Sequence, residues 1–264
     1  MTETAAFAAV TREAVKAGGR FMTAREMKNA GEPWGVNRVQ LYLRGRAGAV
    51  GEVSSTVATS LYGMFPAWLI DLTWQETTAL PAAAATTAYA TACWEWGRKR
   101  VATLAGSEDL AELAERIVDS ADASALALFA AWRSWQRPED APARAAHAVA
   151  LLRELRGGLH FCALRGRGLD VPAALIADPE AGPEQMRKTG WSDDDIAALG
   201  HRAATIPDLA TRWAQAEQDT NAAMGQACEA LSAPQREDMS RLLTAFEEVS
   251  RPPQVATTEQ RPRR

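Results

Sequence analysis

The sequence predicts an all-α (mainly α) protein. Three observations carry this. Apolar residues recur at three- and four-residue spacing along most of the chain. Cap and stop residues fall between those periodic stretches. Alternating apolar and polar runs, which a half-buried strand needs, are scarce. With 264 residues and 47% hydrophobic content, the chain can bury a substantial core. That length suits one large domain or two smaller ones. The Gly106-Ser107 break divides it into two expected helical lobes, 1–105 and 106–250, followed by a Pro- and Arg-rich tail over 251–264 expected to be disordered.

Thr4 to Ala17 places Phe7, Val10, Ala14 and Val15 at helical spacing and stops at Gly18-Gly19. Thr23-Ala24-Arg25-Glu26 has the capping-box form and opens a short helix ending at Gly31. Glu32-Pro33-Trp34-Gly35 is a turn, and a further helix runs from Asn37 to Arg44. Gly45, Gly48 and Gly51 then recur at every third residue, in neither dinucleotide-binding nor P-loop order. They read as a glycine-permitted turn; the sharper alternative puts Arg44 or Arg46 at a helix entrance, holding an anion. Ser54 to Ala67 forms a buried helix ended by Pro66, and Trp68 to Trp74 is a second apolar patch.

Ala79 to Leu104 is an alanine-rich helix with Arg98, Lys99 and Arg100 in its last turns, where cations suit the helix dipole. Asp109 to Ser120 is amphipathic through Leu110, Leu113 and Ile117, and Leu126, Phe129, Ala130 and Trp132 continue the pattern. Pro142 opens the central helix. His147 and Glu154 share one face of it, and Arg156 and His160 share another. In an unbroken helix these two pairs point in nearly opposite directions. Gly157-Gly158 makes a break the expectation, which leaves convergence open. Ala173 to Ala177 is a short helix, and Ser192 caps the next one above Asp193, Asp194 and Asp195. Pro207 to Ala230 is long, with Leu209, Trp213, Ala216 and Thr220 on one side and Glu217 beside Trp213. Ser232 to Glu248 closes the set on Met239, Leu242, Leu243 and Phe246.

Composition narrows the function classes. Net charge is -4 with pI near 5.6, which disfavours a strongly basic nucleic-acid binder. Cys93, Cys162 and Cys228 are far apart without a C-x-x-C pair, so a reducing cytoplasm fits better than a disulfide framework. The first residues lack signal-peptide order, and no run of about 18 apolar residues suggests a membrane span. His147, His160 and His201 have no metal-site spacing, no G-x-S-x-G elbow occurs, and no cofactor is called for. A His–Glu pair on one helix face can act as an oriented general base, because the carboxylate holds the imidazole tautomer and raises its basicity. The plainer alternative for any one of these groups is a structural hydrogen bond between helices. Tryptophans such as Trp191 and Trp213 likewise serve a core more often than a ligand wall.

Four motifs in order resemble the actinobacterial family of SalK-like helix-turn-helix proteins. They are RVQLYLRGRAGAVGEV at Arg38 to Val53, HAVALLRELRGGLH at His147 to His160, Gly190-Trp191, and WAQAEQDT at Trp213 to Thr220. The similarity spans about 35–245 and places family residues at Gly45, Arg46, Gly51, His147, Glu154, Arg156, His160, Trp191, Trp213 and Glu217. Leu61-Tyr62-Gly63-Met64 and Leu155 depart from it, which bears on pocket shape. The resemblance implies a helical architecture, with room for winged-helix-like parts, and the company of specialised-metabolite genes.

Two functions follow as expectations. The first is a small-molecule-binding protein of bacterial specialised-metabolite biosynthesis, and in one version an enzyme. There His147 or His160 is the acid/base, Glu154 orients it, and Arg46 or Arg156 binds an anionic group; Trp191, Trp213 and Glu217 complete the site. It is expected to be cytoplasmic and free to form a homo-oligomer. The second is a DNA-binding regulator that reads a groove with Arg38, Gln40, Arg44 and Arg46 on the Asn37 to Arg46 segment.

Overall fold

The computed structural model describes residues 1–252, so residues 253–264 of the expected tail lie outside the described residues. Fifteen α-helices occur among the described residues, and no strand does. The winged-helix-like parts that the resemblance left room for therefore have no wing hairpin there. No described helix is long and apolar enough to cross a membrane.

The first six helices are α1 (Glu3–Val10), α2 (Arg12–Ala17), α3 (Arg25–Gly31), α4 (Arg38–Gly48), α5 (Ser55–Tyr62) and α6 (Ala67–Glu76). The expected capping box at Thr23 does not form: the cap position is Ala24, and the Thr23 hydroxyl donates back to the Arg20 carbonyl. A box forms instead at Asn37, whose side chain accepts from the Val39 and Gln40 amides while Gln40 reaches back. Ser54 to Ala67 is not one helix, because Gly63 at φ +62° ends α5.

The central and last helices are α7 (Ala82–Arg100), α8 (Ser107–Ser120), α9 (Ala127–Arg133), α10 (Ala141–Gly166), α11 (Val171–Ala177), α12 (Gly182–Lys188), α13 (Asp193–Ala204), α14 (Leu209–Ala227) and α15 (Ala233–Val249). Helix α10 packs against α7, α8, α9 and α14. The largest buried cluster joins its Leu151 and Leu152 to Trp96 of α7, Ile117 of α8 and Phe246 of α15. Pro142 does lie in the first turn of α10, and Asp140 caps it by accepting the Ala143 amide.

The glycine run after Arg44 is not a turn. Helix α4 continues through Gly45 and Gly48 because it crosses α7 there at backbone contact. A Cβ on Gly45 would stand 2.6 Å from the Tyr89 Cβ and 2.7 Å from the Ala85 carbonyl oxygen; one on Gly48 would stand 2.6 Å from the Ala82 carbonyl oxygen. The Thr86 hydroxyl also lies 3.1 Å from the Gly45 carbonyl, within donating reach across the same crossing. Only Gly51, at φ +105°, serves the turn. Gly45→Ala is therefore expected to destabilise by about 1–3 kcal/mol through overpacking, against alanine's better helix propensity. A denaturant midpoint raised by this change would refute the crossing.

Candidate functional site

Helix α10 runs unbroken for 26 residues, so Gly157-Gly158 is not the expected break. Its first half is core. From Gly157 onwards it turns partly exposed and forms the floor of a 660 Å³ cleft. That volume lies within the range of ligand pockets. Helix α2 adds Arg12, Val15 and Lys16; α4 adds Arg46; the α5 end adds Leu61; and α14 adds Glu217. The chain from Ala125 to Phe129 forms an apolar side. Ala125 holds φ +62°, a left-handed conformation that costs an alanine about 1–2 kcal/mol.

The glycines explain why the helix does not break. A Cβ on Gly158 would press on the Leu126 side chain at 2.9 Å, whereas one on Gly157 would find nothing within 4 Å. Gly158 is small for packing. Gly157 opens space on the cleft floor.

Arg46 and Glu154, assigned separate tasks by sequence, hold each other. The guanidinium donates through Nε at 2.8 Å and Nη2 at 2.7 Å to the two carboxylate oxygens. It also stands 5.2 Å from the Tyr62 ring centre. Burial opposes charge on Arg46, yet Glu154 beside it keeps the guanidinium protonated well above its ordinary range. Burial would raise the Glu154 carboxyl, and the Arg46 charge reverses this and holds it low. Glu154 therefore orients no imidazole; Arg46 occupies it.

His147 lies away from the cleft. The Trp94 indole N–H donates to its Nδ1 at 3.1 Å, so the ring proton sits on Nε2. That Nε2 is buried without a partner, and the residue lines a separate 20 Å³ cavity with Tyr89, Trp132 and Glu154. Burial, with a smaller push from Arg137, lowers the imidazole to about 4. His147 is thus a neutral core group rather than an acid/base facing ligand.

His160 does reach the cleft, and its partner is Glu217 instead of Glu154. Its Nδ1 is 3.2 Å from Glu217 Oε1 and 3.1 Å from Thr220 Oγ1. Arg156 binds the other Glu217 oxygen at 2.9 Å and Asn221 at 2.9 Å. Burial lowers Arg156 somewhat. Burial also lowers His160, outweighing the opposing Glu217 charge.

The two expected indoles stand outside the lining. Trp191 donates to the Met64 carbonyl at 2.9 Å and so braces the edge where Met64 lines the cleft. Trp213 packs with Leu164, Leu169 and Ala174. Sequence reasoning missed Arg12, Lys16, Arg153 and Arg165, all in the lining. An unbroken α10 would have pointed to the last two; nothing local pointed to α2. Among the described residues, no group of three His, Cys, Asp or Glu is placed to hold a metal.

Fold and site define an all-α chain organised around one long helix, with a ligand-sized cleft along that helix's exposed half. A family model described as a helix-turn-helix family matches residues 9–255, and the chain belongs to that family. No curated protein and no solved structure matches it.

Proposed function

We propose that the chain binds a small organic anion with an apolar body in this cleft. One observation carries the proposal. In a chain of net charge -4, the lining sets Arg12, Lys16, Arg46, Arg153, Arg156 and Arg165 against Glu154, Asp178 and Glu217. Even with Glu180 pairing Arg12 at 2.8 Å and Lys16 at 2.5 Å, the cations stay in excess. Arg165 pairs with no carboxylate among the described residues, and Arg153 makes only a 3.5 Å approach to Glu154. Such cations attract an anionic group, while Leu126, Leu128, Phe129 and Phe161 receive apolar surface. The resemblance supports a setting in bacterial specialised-metabolite biosynthesis.

The probe is 8-anilinonaphthalene-1-sulfonate, an aromatic body with one negative group. Saturable binding is expected, stronger than that of the neutral N-phenyl-1-naphthylamine. Gly157→Leu should weaken it by about tenfold or more by filling the floor, since each tenfold loss needs only about 1.4 kcal/mol. Gly157→Ala, by contrast with Gly45→Ala, is expected to raise stability by about 1 kcal/mol through helix propensity alone. Equal probe affinity in wild type and Gly157→Leu would sink the proposal.

The family description favours a second reading, DNA binding. Against it, Arg44 and Arg46 are buried and paired with Glu52 and Glu154, while Arg38 and Gln40 bond the Thr23 carbonyl and Glu76. Helix α13, which follows α12 after a short turn, opens on Asp193, Asp194 and Asp195, and phosphates repel that charge. Filter binding to DNA at two salt concentrations separates the readings. Specific binding with a steep salt slope would favour the regulator.

A further inference from the structure

We propose that His160 is a general base for a carbon acid bound in the cleft, with Glu217 and Thr220 as its positioning residues. The inference rests on the cleft being a ligand site.

Donor accounting carries it. The Thr220 hydroxyl gives its single hydrogen to the Ala216 carbonyl at 2.7 Å, so towards His160 its oxygen can only accept. The Glu217 carboxylate, held by Arg156 at 2.9 Å, is also an acceptor only. Two acceptors thus face Nδ1, at 3.1 and 3.2 Å, and Nδ1 must carry the ring proton. The lone pair is left on Nε2, on a side chain that lines the cleft and keeps 22% of its surface open. His147 is held in the opposite tautomer by Trp94 and lies outside the cleft lining. The two central imidazoles are therefore not equivalent, and only His160 offers a base to a ligand.

The surroundings keep it unprotonated until it is needed. Arg156 and Arg12 oppose a positive imidazole, Glu217 and Asp178 favour one, and burial tips the balance to the neutral form. Once Nε2 takes a proton, the adjoining Glu217 carboxylate stabilises the imidazolium.

The cleft lining fits an organic anion, and the proposed base adds the need for a C–H bond next to a carbonyl. A proton on carbon next to a carbonyl is acidic enough for an imidazole to remove yet leaves slowly unaided, so a placed base matters there. In the step, the C–H bond breaks and an N–H bond forms at Nε2. The electron pair moves into the carbonyl, giving an enolate oxygen beside the lining guanidinium groups. Return of the proton to that oxygen, or to another carbon, completes an isomerisation without a co-reactant.

Phenylpyruvate is the test molecule, because it is an anion with an aromatic body and acidic carbon-bound protons. Displacement of 8-anilinonaphthalene-1-sulfonate reports its binding. Loss of its CH₂ proton signal in deuterium oxide reports abstraction. The expected result is exchange faster than in buffer, about 100-fold or more slower in His160→Gln, rising with pH as His160 loses its proton. Glu217→Gln should move that pH profile. Nitrogen NMR of labelled imidazoles in the wild type should show His160 as the Nδ1–H form, which needs no variant to fold. Displacement without His160-dependent exchange, or an Nε2–H tautomer, would overturn the base assignment and leave the cleft standing. No displacement while the probe still binds would overturn the carbon-acid assignment and leave the cleft standing. No saturable probe binding at all would remove the ligand site and this inference with it.

Discussion

Replacing Glu154 with Gln is expected to lower the unfolding free energy by about 3–5 kcal/mol, the range for breaking a buried ion pair from one side. The substitution is close to isosteric, so little packing is lost. What remains is an arginine only 7% exposed, its guanidinium near the Tyr42 and Tyr62 rings, with its bidentate acceptor gone. An arginine cannot escape this by releasing its proton. Removing both charges, as in Arg46→Met with Glu154→Leu, should recover most of the loss, because the desolvation penalty then disappears from both sides. Denaturant midpoints of the two variants measure this. A Glu154→Gln protein within about 1 kcal/mol of wild type would show that water reaches Arg46 freely, a weaker cost than burial imposes.

Acidification is expected to remove about 3 kcal/mol through His147 alone. Unfolded, the imidazole titrates near 6.5; folded, burial lowers it to about 4. Between those values the unfolded chain binds the proton and the folded chain does not, so stability rises with pH across the window. The contribution is complete above about 6.5 and is lost as pH falls towards 4, at about 1.4 kcal/mol per unit. The lowered His160 acts with the same sign. The depressed Glu154 carboxyl adds a further loss at lower pH, below its unfolded value. Unfolding of wild type and His147→Gln at pH 7 and pH 4.5 separates the terms. The variant should lose markedly less; equal losses would mean that His147 protonates without penalty.

Much of the fold was legible because caps and apolar spacing act within a turn or two. Ser192 above three aspartates and the apolar face of the last helix emerged as expected. Glycines misled for a physical reason. A glycine that admits a neighbouring backbone, such as Gly45, has the same local signature as one that ends a helix. Gly157, which only leaves room, has that signature too.

The site was half legible. Arg46, Glu154, Arg156, His160 and Glu217 were named and all line the cleft. Their pairing was not legible, because Arg46 meets Glu154 across 108 positions and His160 meets Glu217 from another helix. The role of His147 depended on Trp94, 53 positions away, which takes the ring nitrogen that a base would need.

The central claim, a ligand seated along the exposed half of α10, is tested most directly by mapping backbone amide shifts during titration with 8-anilinonaphthalene-1-sulfonate. The expected result is a set of perturbed amides clustered over residues 153–165, around Arg12 to Lys16 and at Glu217. Saturable binding that leaves those amides unmoved and shifts others instead would contradict it.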